Sequence, residues 1–556
     1  MPTCKNCQND FIIYPEDRAF YIRMKVPPPD ECPSCREQRR LSWRNERTLY
    51  TRVCDLCHRP IVSIYHQTVP FPVYCAACWW SDQWDPFSFG REYDSSRGFF
   101  EQFTALLHVV PQIAVANQNS ENSEYCNEVE GLKDSYLAMT SFFGERLLYT
   151  YWLARSHDCV DCSFILHSDL CYECQDVYKC YNCRYVYNSD NIIDSTFCFN
   201  CTNCQNCLFC FNLVNKNYCI NNKQYSPDEY QKKLQTYNFR SRAVVMDLQN
   251  KFWADSLAYP RRFAFIKNSS HCQGNYIKDS KNTFFAFDIF GHEDGRYLYD
   301  CGQSKDAVDC SQSGLDCELM YQMQSGTGLY NVAFGNFVWR GRDLQYSDHC
   351  YSSHDIFGCI GMQKSNYCIL NKQYSAADYQ RLVGQIIQDM TGRGEYGHFF
   401  PIEDSPFGYN ETVAHQHFPM TKEEVVQRGW HWQDQLPGVR GQETVATVPD
   451  TIDNVSLDIV QEIMICQGCR KNYKIIEAEF QFYKKHGIPP PAHCPDCRHY
   501  QRLSLRNPRK LWHRQCMCEQ SDHNHAGKCL VEFETTYAPD QPEKVYCEEC
   551  YQKEIY

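Results

Sequence analysis

A chain of 556 residues with 55 basic and 68 acidic side chains carries a net charge of -13, so it repels a phosphate backbone overall and any nucleic-acid contact has to be local. No stretch approaches an 18-residue apolar span, and the N-terminus lacks a basic region followed by an apolar one, so a cytoplasmic protein without membrane contact is expected. The 37 cysteines, many in C-x-x-C pairs, favour metal coordination and reduced thiols over a secreted disulfide framework.

Residues 1–82 read as a double zinc module. Cys4, Cys7, Cys32 and Cys35 form one set of four, and Cys54, Cys57, Cys75 and Cys78 a second. Paired thiolates at C-x-x-C spacing close the short chelate loops that tetrahedral zinc prefers. Cys4 and Cys7 suit a knuckle on a β-hairpin, whereas Cys32 and Cys35 suit the first turn of a helix. That helix is expected to run through Arg36, Arg40, Arg44 and Arg47, whose spacing puts them on one face.

Residues 83–111 form a linker with a short amphipathic helix from Ser96 to His108, stopped before Pro111. A duplication follows: repeat A with its terminal helix over 112–240, a connector over 241–264, and repeat B with its terminal helix over 265–390. Cys126, Cys162 and Asn217-Tyr218-Cys219-Ile220 reappear as Cys272, Cys310 and Asn366-Tyr367-Cys368-Ile369. In repeat A the cysteines from Cys159 to Cys219 all fall at multiples of three, and intervals of nine recur in both repeats. A nine-residue rhythm with polar turns predicts a β-solenoid with small cysteines lining its interior. The rival is extra zinc on sets such as Cys171, Cys174, Cys180 and Cys183. Each repeat ends in a helix capped by serine, Ser226 with Glu229 and Ser375 with Asp378.

Residues 391–460 have the composition of a linker region, with one capped helix at Thr421 and Glu424, and with His415, His417 and His431 read as surface or interface residues. The C-terminal double zinc module, 461–556, copies the first. An offset of 462 carries the first five zinc-module cysteines onto Cys466, Cys469, Cys494, Cys497 and Cys516, and an offset of 472 carries the rest onto Cys529, Cys547 and Cys550. The ten-residue insertion that shifts the register brings Cys518, His523 and His525, which are alternative ligands for the last site. The basic face recurs as Arg498, Arg502, Arg506, Arg509 and Arg514.

The motifs Cys466-Gln467-Gly468-Cys469, Phe482-Tyr483, Pro489-Pro490-Pro491 and Cys494-Pro495-Asp496-Cys497-Arg498 resemble the zinc-ribbon or treble-clef domain of many uncharacterised bacterial proteins. The N-terminal copy matches through Phe20-Tyr21, Pro27-Pro28-Pro29 and Cys32-Pro33-Ser34-Cys35-Arg36, and segments such as Phe407-Gly408-Tyr409-Asn410-Glu411-Thr412 extend the resemblance over most of the chain. The resemblance implies zinc binding and brings no activity. The expected architecture is multidomain and mainly β with short helices: duplicated zinc-ribbon/treble-clef modules at both termini flank a duplicated β-solenoid-like core, with about four structural Zn2+ ions.

No phosphate loop, nucleophile elbow, H-E-x-x-H helix or dinucleotide fingerprint occurs. The leading expectation is therefore a non-catalytic zinc protein that contacts RNA or another nucleic acid through its arginine helices. The alternatives are a protein-interaction scaffold using the solenoid face and a thiol redox protein.

Overall fold

The computed structural model describes residues 1–445 and 447–555. It is mainly β, and two parallel β-solenoids form its centre. In the first, successive rungs pair at an offset of twelve: Tyr151 with Ser163, Ser163 with Gln175, Cys198 with Cys210 and Cys207 with Cys219. From Glu128 to Asn221 every third residue has positive φ, in the left-handed region. Each rung is thus a four-sided coil with three residues per side.

Asn and Asp fill many of these corners, as their short side chains tolerate the left-handed region. Elsewhere Tyr, Phe, Leu and Glu occupy them, and stacking must offset a backbone cost of about 1–2 kcal/mol each. The residue after each corner points inward. Cys159, Cys162, Cys171, Cys174, Cys198, Cys201, Cys207 and Cys210 are fully buried there, among Val, Ile and Ser.

The multiples of three therefore mark the inward positions, but the rung is twelve residues and not nine. The nine-residue interval has a different origin. Cys162 Sγ donates to the carbonyls of Val160 and Cys171, both at 3.4 Å, and Cys174 does the same to Tyr172 and Cys183. A thiol at position i thus reaches the carbonyl at i+9 on the next rung. Serine serves the same stack by another route: Ser189 Oγ donates to Tyr187 O and accepts from Cys201 N.

The second solenoid is an eleven-stranded sheet that starts with pairings at eleven, Ile266 with Ile277 and Ser270 with Lys281, and then pairs at twelve, except for one thirteen-residue rung between Ser304 and Cys317. Its start holds a bulge at Gln273/Gly274, where a Cβ on Gly274 would lie 1.8 Å from Ala286 O.

Both stacks close identically. Asn222 takes Phe211 N on its Oδ1 and gives its Nδ2 to Phe211 O, both at 2.8 Å, and Asn371 does the same to Ile360. One amide side chain replaces the missing next rung and quiets a sheet edge that could otherwise recruit another strand. The short hairpin that follows leads into the predicted helices, with Ser226 and Ser375 as N-caps.

Aromatic residues pack helices onto one flank of each stack. The Arg242–Ser256 helix sets Phe252 against Phe197 and Phe211 of the first solenoid. The Phe99–Leu107 helix sets Phe99 against Tyr346 and Phe357 of the second. The expected linker over 391–460 is in good part packed: Phe399 and Phe400 join the aromatic cluster on the flank of the second solenoid, and Tyr409, Val413 and Val425 pack on Leu41.

Candidate metal centres and the arginine braces

Four groups of cysteines converge. Cys4, Cys7, Cys32 and Cys35; Cys54, Cys57, Cys75 and Cys78; Cys466, Cys469, Cys494 and Cys497; and Cys516, Cys529, Cys547 and Cys550 each bring four sulfurs within 4.8 Å of one another. Sulfur separations of 3.7 Å (Cys7–Cys32), 3.8 Å (Cys57–Cys75), 3.6 Å (Cys469–Cys494) and 4.0 Å (Cys529–Cys547) rule out disulfides. They match the edge of about 3.8 Å expected for a tetrahedron with metal–sulfur bonds of about 2.3 Å.

The outer shell repeats as well. In each group the N–H of the third cysteine donates to the sulfur of the first: Cys32 to Cys4, Cys75 to Cys54, Cys494 to Cys466 and Cys547 to Cys516, at 3.2–3.3 Å. Such N–H donors stabilise thiolate and orient it for a metal. Burial pushes the Cys54 and Cys466 thiols up, but backbone N–H groups of the knuckle offset this and draw both down to about 7.

Cys32 and Cys494 also sit at the N-caps of the Pro33–Leu41 and Pro495–Leu503 helices, where the helix dipole favours negative charge. Each group could therefore hold a metal ion. A fifth group of Cys518, His523, His525 and Cys550 shares Cys550 with the fourth. The solenoid thiols form no such group among the described residues, which removes the reading of Cys171, Cys174, Cys180 and Cys183 as ligands.

The arginines depart from expectation. The helices end at Leu41 and Leu503, so Arg44, Arg47, Arg506 and Arg509 lie beyond them and no single helical face carries the set. Nor do these arginines form a free surface. Arg36 donates to Asp309 at 2.9 Å, with Arg40 close by at 3.6 Å and donating to Ser311 Oγ. Arg44 pairs with Glu46 and Glu128, and Arg47 with Asp496 at 3.5 Å. In the other copy Arg498 and Arg502 share Asp161 at 3.2 and 2.9 Å, and Arg502 also donates to Ser163 Oγ. Arg506 pairs with Asp176 and Asp288, Arg509 with Asp288 and Asp300, and Arg514 donates to the carbonyls of Tyr537 and Ala538.

Arg36, Arg40, Arg44, Arg498 and Arg502 are at most 4% exposed. The phosphate-contacting surface expected from the sequence is thus consumed inside the protein. The cause is electrostatic: a guanidinium taken out of water needs a carboxylate, and solenoid corners supply one.

These contacts lace the molecule crosswise. The N-terminal module's first helix docks on the second solenoid, and the C-terminal module's on the first. The equivalence extends to tyrosines: Tyr297 OH donates to Asp17, and Tyr149 OH to Glu479. The other half of each module abuts the start of the opposite stack, where Val73 pairs with Gln112 and Val545 with Arg261, both in parallel.

No family model matches the chain, and no curated protein does. Among solved structures, a "putative acetyltransferase from Desulfovibrio desulfuricans G20" is similar over 45% of this chain and 68% of its own, at 10% identity and a TM-score of 0.10, and that likeness carries no argument.

The sequence reading missed the carboxylate partners. Asp161 and Asp309 stand at corresponding corner positions, and an acidic residue repeated at the duplication offset was the available signal.

Proposed function

We propose that the protein is a non-catalytic scaffold, braced by zinc at its termini, that docks a protein partner along the first solenoid. The observation that carries this reading is a partly exposed ladder. Phe142, Ala154, Leu166 and Tyr178 stack at twelve-residue register on one side of the solenoid, with Phe143 beside them and 53% exposed. The ladder runs into a cleft of about 500 Å3 between the two stacks, lined by Trp152, Phe164, Tyr178, Phe265, Tyr276 and Lys278. An apolar strip ending in an aromatic cleft suits an extended segment with aromatic or aliphatic side chains.

The chemistry elsewhere is closed. A metal held by four thiolates has no open position for water, and thiolate sets of this kind suit zinc. Interior thiols such as Cys126, Cys159 and Cys317 are shut away from solvent, which disfavours the redox reading. With the arginines paired internally and a net charge of -13, nothing favours a nucleic-acid partner.

The test is site-specific photo-crosslinking in the host from position 143, compared with position 281 on the other solenoid, combined with Leu166→Asp. The scaffold reading expects one protein adduct from position 143 that survives nuclease and high salt and disappears in L166D, while metal content stays unchanged. Adducts to nucleic acid, or adducts indifferent to L166D, would reject it.

A further inference from the structure

The ten-residue insertion that separates the C-terminal module from its N-terminal copy has no apolar core of its own. The cluster it joins consists of Cys516, Cys518, Cys529, Cys547 and Cys550 with Tyr546 and Tyr551. Most of the loop from Glu519 to Lys528 is exposed and lacks helix or strand, yet Cys518, Cys550 and His523 are 0%, 2% and 7% exposed. Packing on Tyr546 and Tyr551 accounts for the two cysteines but not for the imidazole buried beside them.

Cys518 Sγ lies 3.1 Å from His523 Nδ1, Cys550 Sγ lies 3.4 Å from His525 Nε2, and all four ligand atoms lie within 4.8 Å of one another. Cys550 belongs equally to the four-sulfur group of Cys516, Cys529 and Cys547. Its counterpart Cys78 belongs to one group only among the described residues.

The imidazoles are arranged as ligands. His525 Nδ1 faces the carbonyl of Gly527 at 2.8 Å, which fixes its proton there and turns the Nε2 lone pair toward Cys550. His523 turns Nε2 outward toward Glu554 at 3.9 Å and Asp522 at 4.0 Å, leaving Nδ1 for the metal side. Cys529 N donates to Cys518 O at 2.9 Å and ties the two groups together through the backbone.

We propose that the C-terminal module holds a two-metal centre in which Cys550 is a shared thiolate: one Zn2+ on Cys516, Cys529, Cys547 and Cys550, and a second on Cys518, His523, His525 and Cys550. Five thiolates around two divalent cations carry a net charge of about -1, against about -2 for a lone tetrathiolate site, so sharing eases the electrostatic cost of burial. Two imidazoles and two thiolates form a complete tetrahedral set for zinc, and the second ion staples the inserted loop to the final helix.

Metal analysis of the full chain purified with zinc tests this. The expected content is five ions per chain, falling to four in His523→Ala/His525→Ala and in Cys518→Ser, and staying at five in His513→Ala, which alters an exposed imidazole. Reloading with Co2+ supplies the second readout: two ions joined by one thiolate couple magnetically, so the wild-type paramagnetic signal falls below that of the total cobalt and recovers in C518S.

Four ions in the wild type, unchanged by these variants, would overturn the proposal. Five ions with every cobalt spin independent would overturn the shared thiolate. Failure of the four-cluster reading is distinguishable, because Cys7→Ser and Cys469→Ser would then leave metal content untouched.

Discussion

Removing one arginine from a cross-brace tests the packing argument at its most demanding point. Arg502 donates to Asp161 at 2.9 Å and to Tyr149 O at 3.2 Å, and Asp161 is 0% exposed. At that separation the attraction amounts to about 6 kcal/mol for an effective dielectric of 20, and desolvation of both ions offsets much of it. Breaking the pair from one side is a different matter. Arg502→Met leaves the buried carboxylate to Arg498 alone at 3.2 Å, and the expected loss is about 3–5 kcal/mol. Asp161→Asn in the same chain removes the carboxylate left in excess and leaves Arg498 to Glu479 at 3.1 Å, so R502M/D161N is expected to recover about 2 kcal/mol of it. The assay is urea unfolding in the presence of zinc, followed separately in the C-terminal module and the first solenoid. Arg40→Met should behave alike, because Asp309 keeps Arg36 at 2.9 Å. A loss below about 1 kcal/mol in R502M, the size seen for exposed pairs, would refute the brace.

Two further outcomes follow from burial. Alkylation of the metal-loaded protein should label Cys272 first among the solenoid thiols, since it is partly exposed while Cys301, Cys310, Cys350 and Cys359 are buried; mass mapping that finds those four labelled as fast would contradict the stacked interior. His292 points into the second solenoid with neither ring nitrogen hydrogen-bonded, and burial pushes its pKa down to about 4, against a small opposing pull from Asp294. Its neutral form is native, so its stabilising contribution is whole above pH 6.5 and is lost as pH falls toward 4. Relative to His292→Ser, the wild type should lose about 2 kcal/mol between about pH 7 and pH 5. A difference that does not change with pH would mean that the ring is hydrated.

Spacing made the terminal clusters legible, because a metal tetrahedron fixes both pair separation and order; all four groups assemble from the residues the offsets pick out. The solenoid was legible as a period of three, but its rung was misread, since cysteines that contact carbonyls nine residues away mark the hydrogen bond and not the coil. The arginines misled for a physical reason. A basic run in an acidic chain looks the same whether it faces phosphate or the chain's own buried carboxylates, and only tertiary contacts separate the two cases. Asn222 and Asn371 follow the matching Asn217-Tyr218-Cys219-Ile220 and Asn366-Tyr367-Cys368-Ile369 segments, but their role in closing the sheet depends on rung geometry that no local pattern carries.

Metal in the terminal clusters is expected to hold the module helices against the solenoids that they dock on. Hydrogen exchange with and without a chelator tests it most directly. Stripping the metal should raise exchange together in the module helices Pro33–Leu41 and Pro495–Leu503 and in the rungs they dock on, around Asp309 and around Asp161. Solenoid rungs that keep full protection while the terminal modules unfold would contradict it.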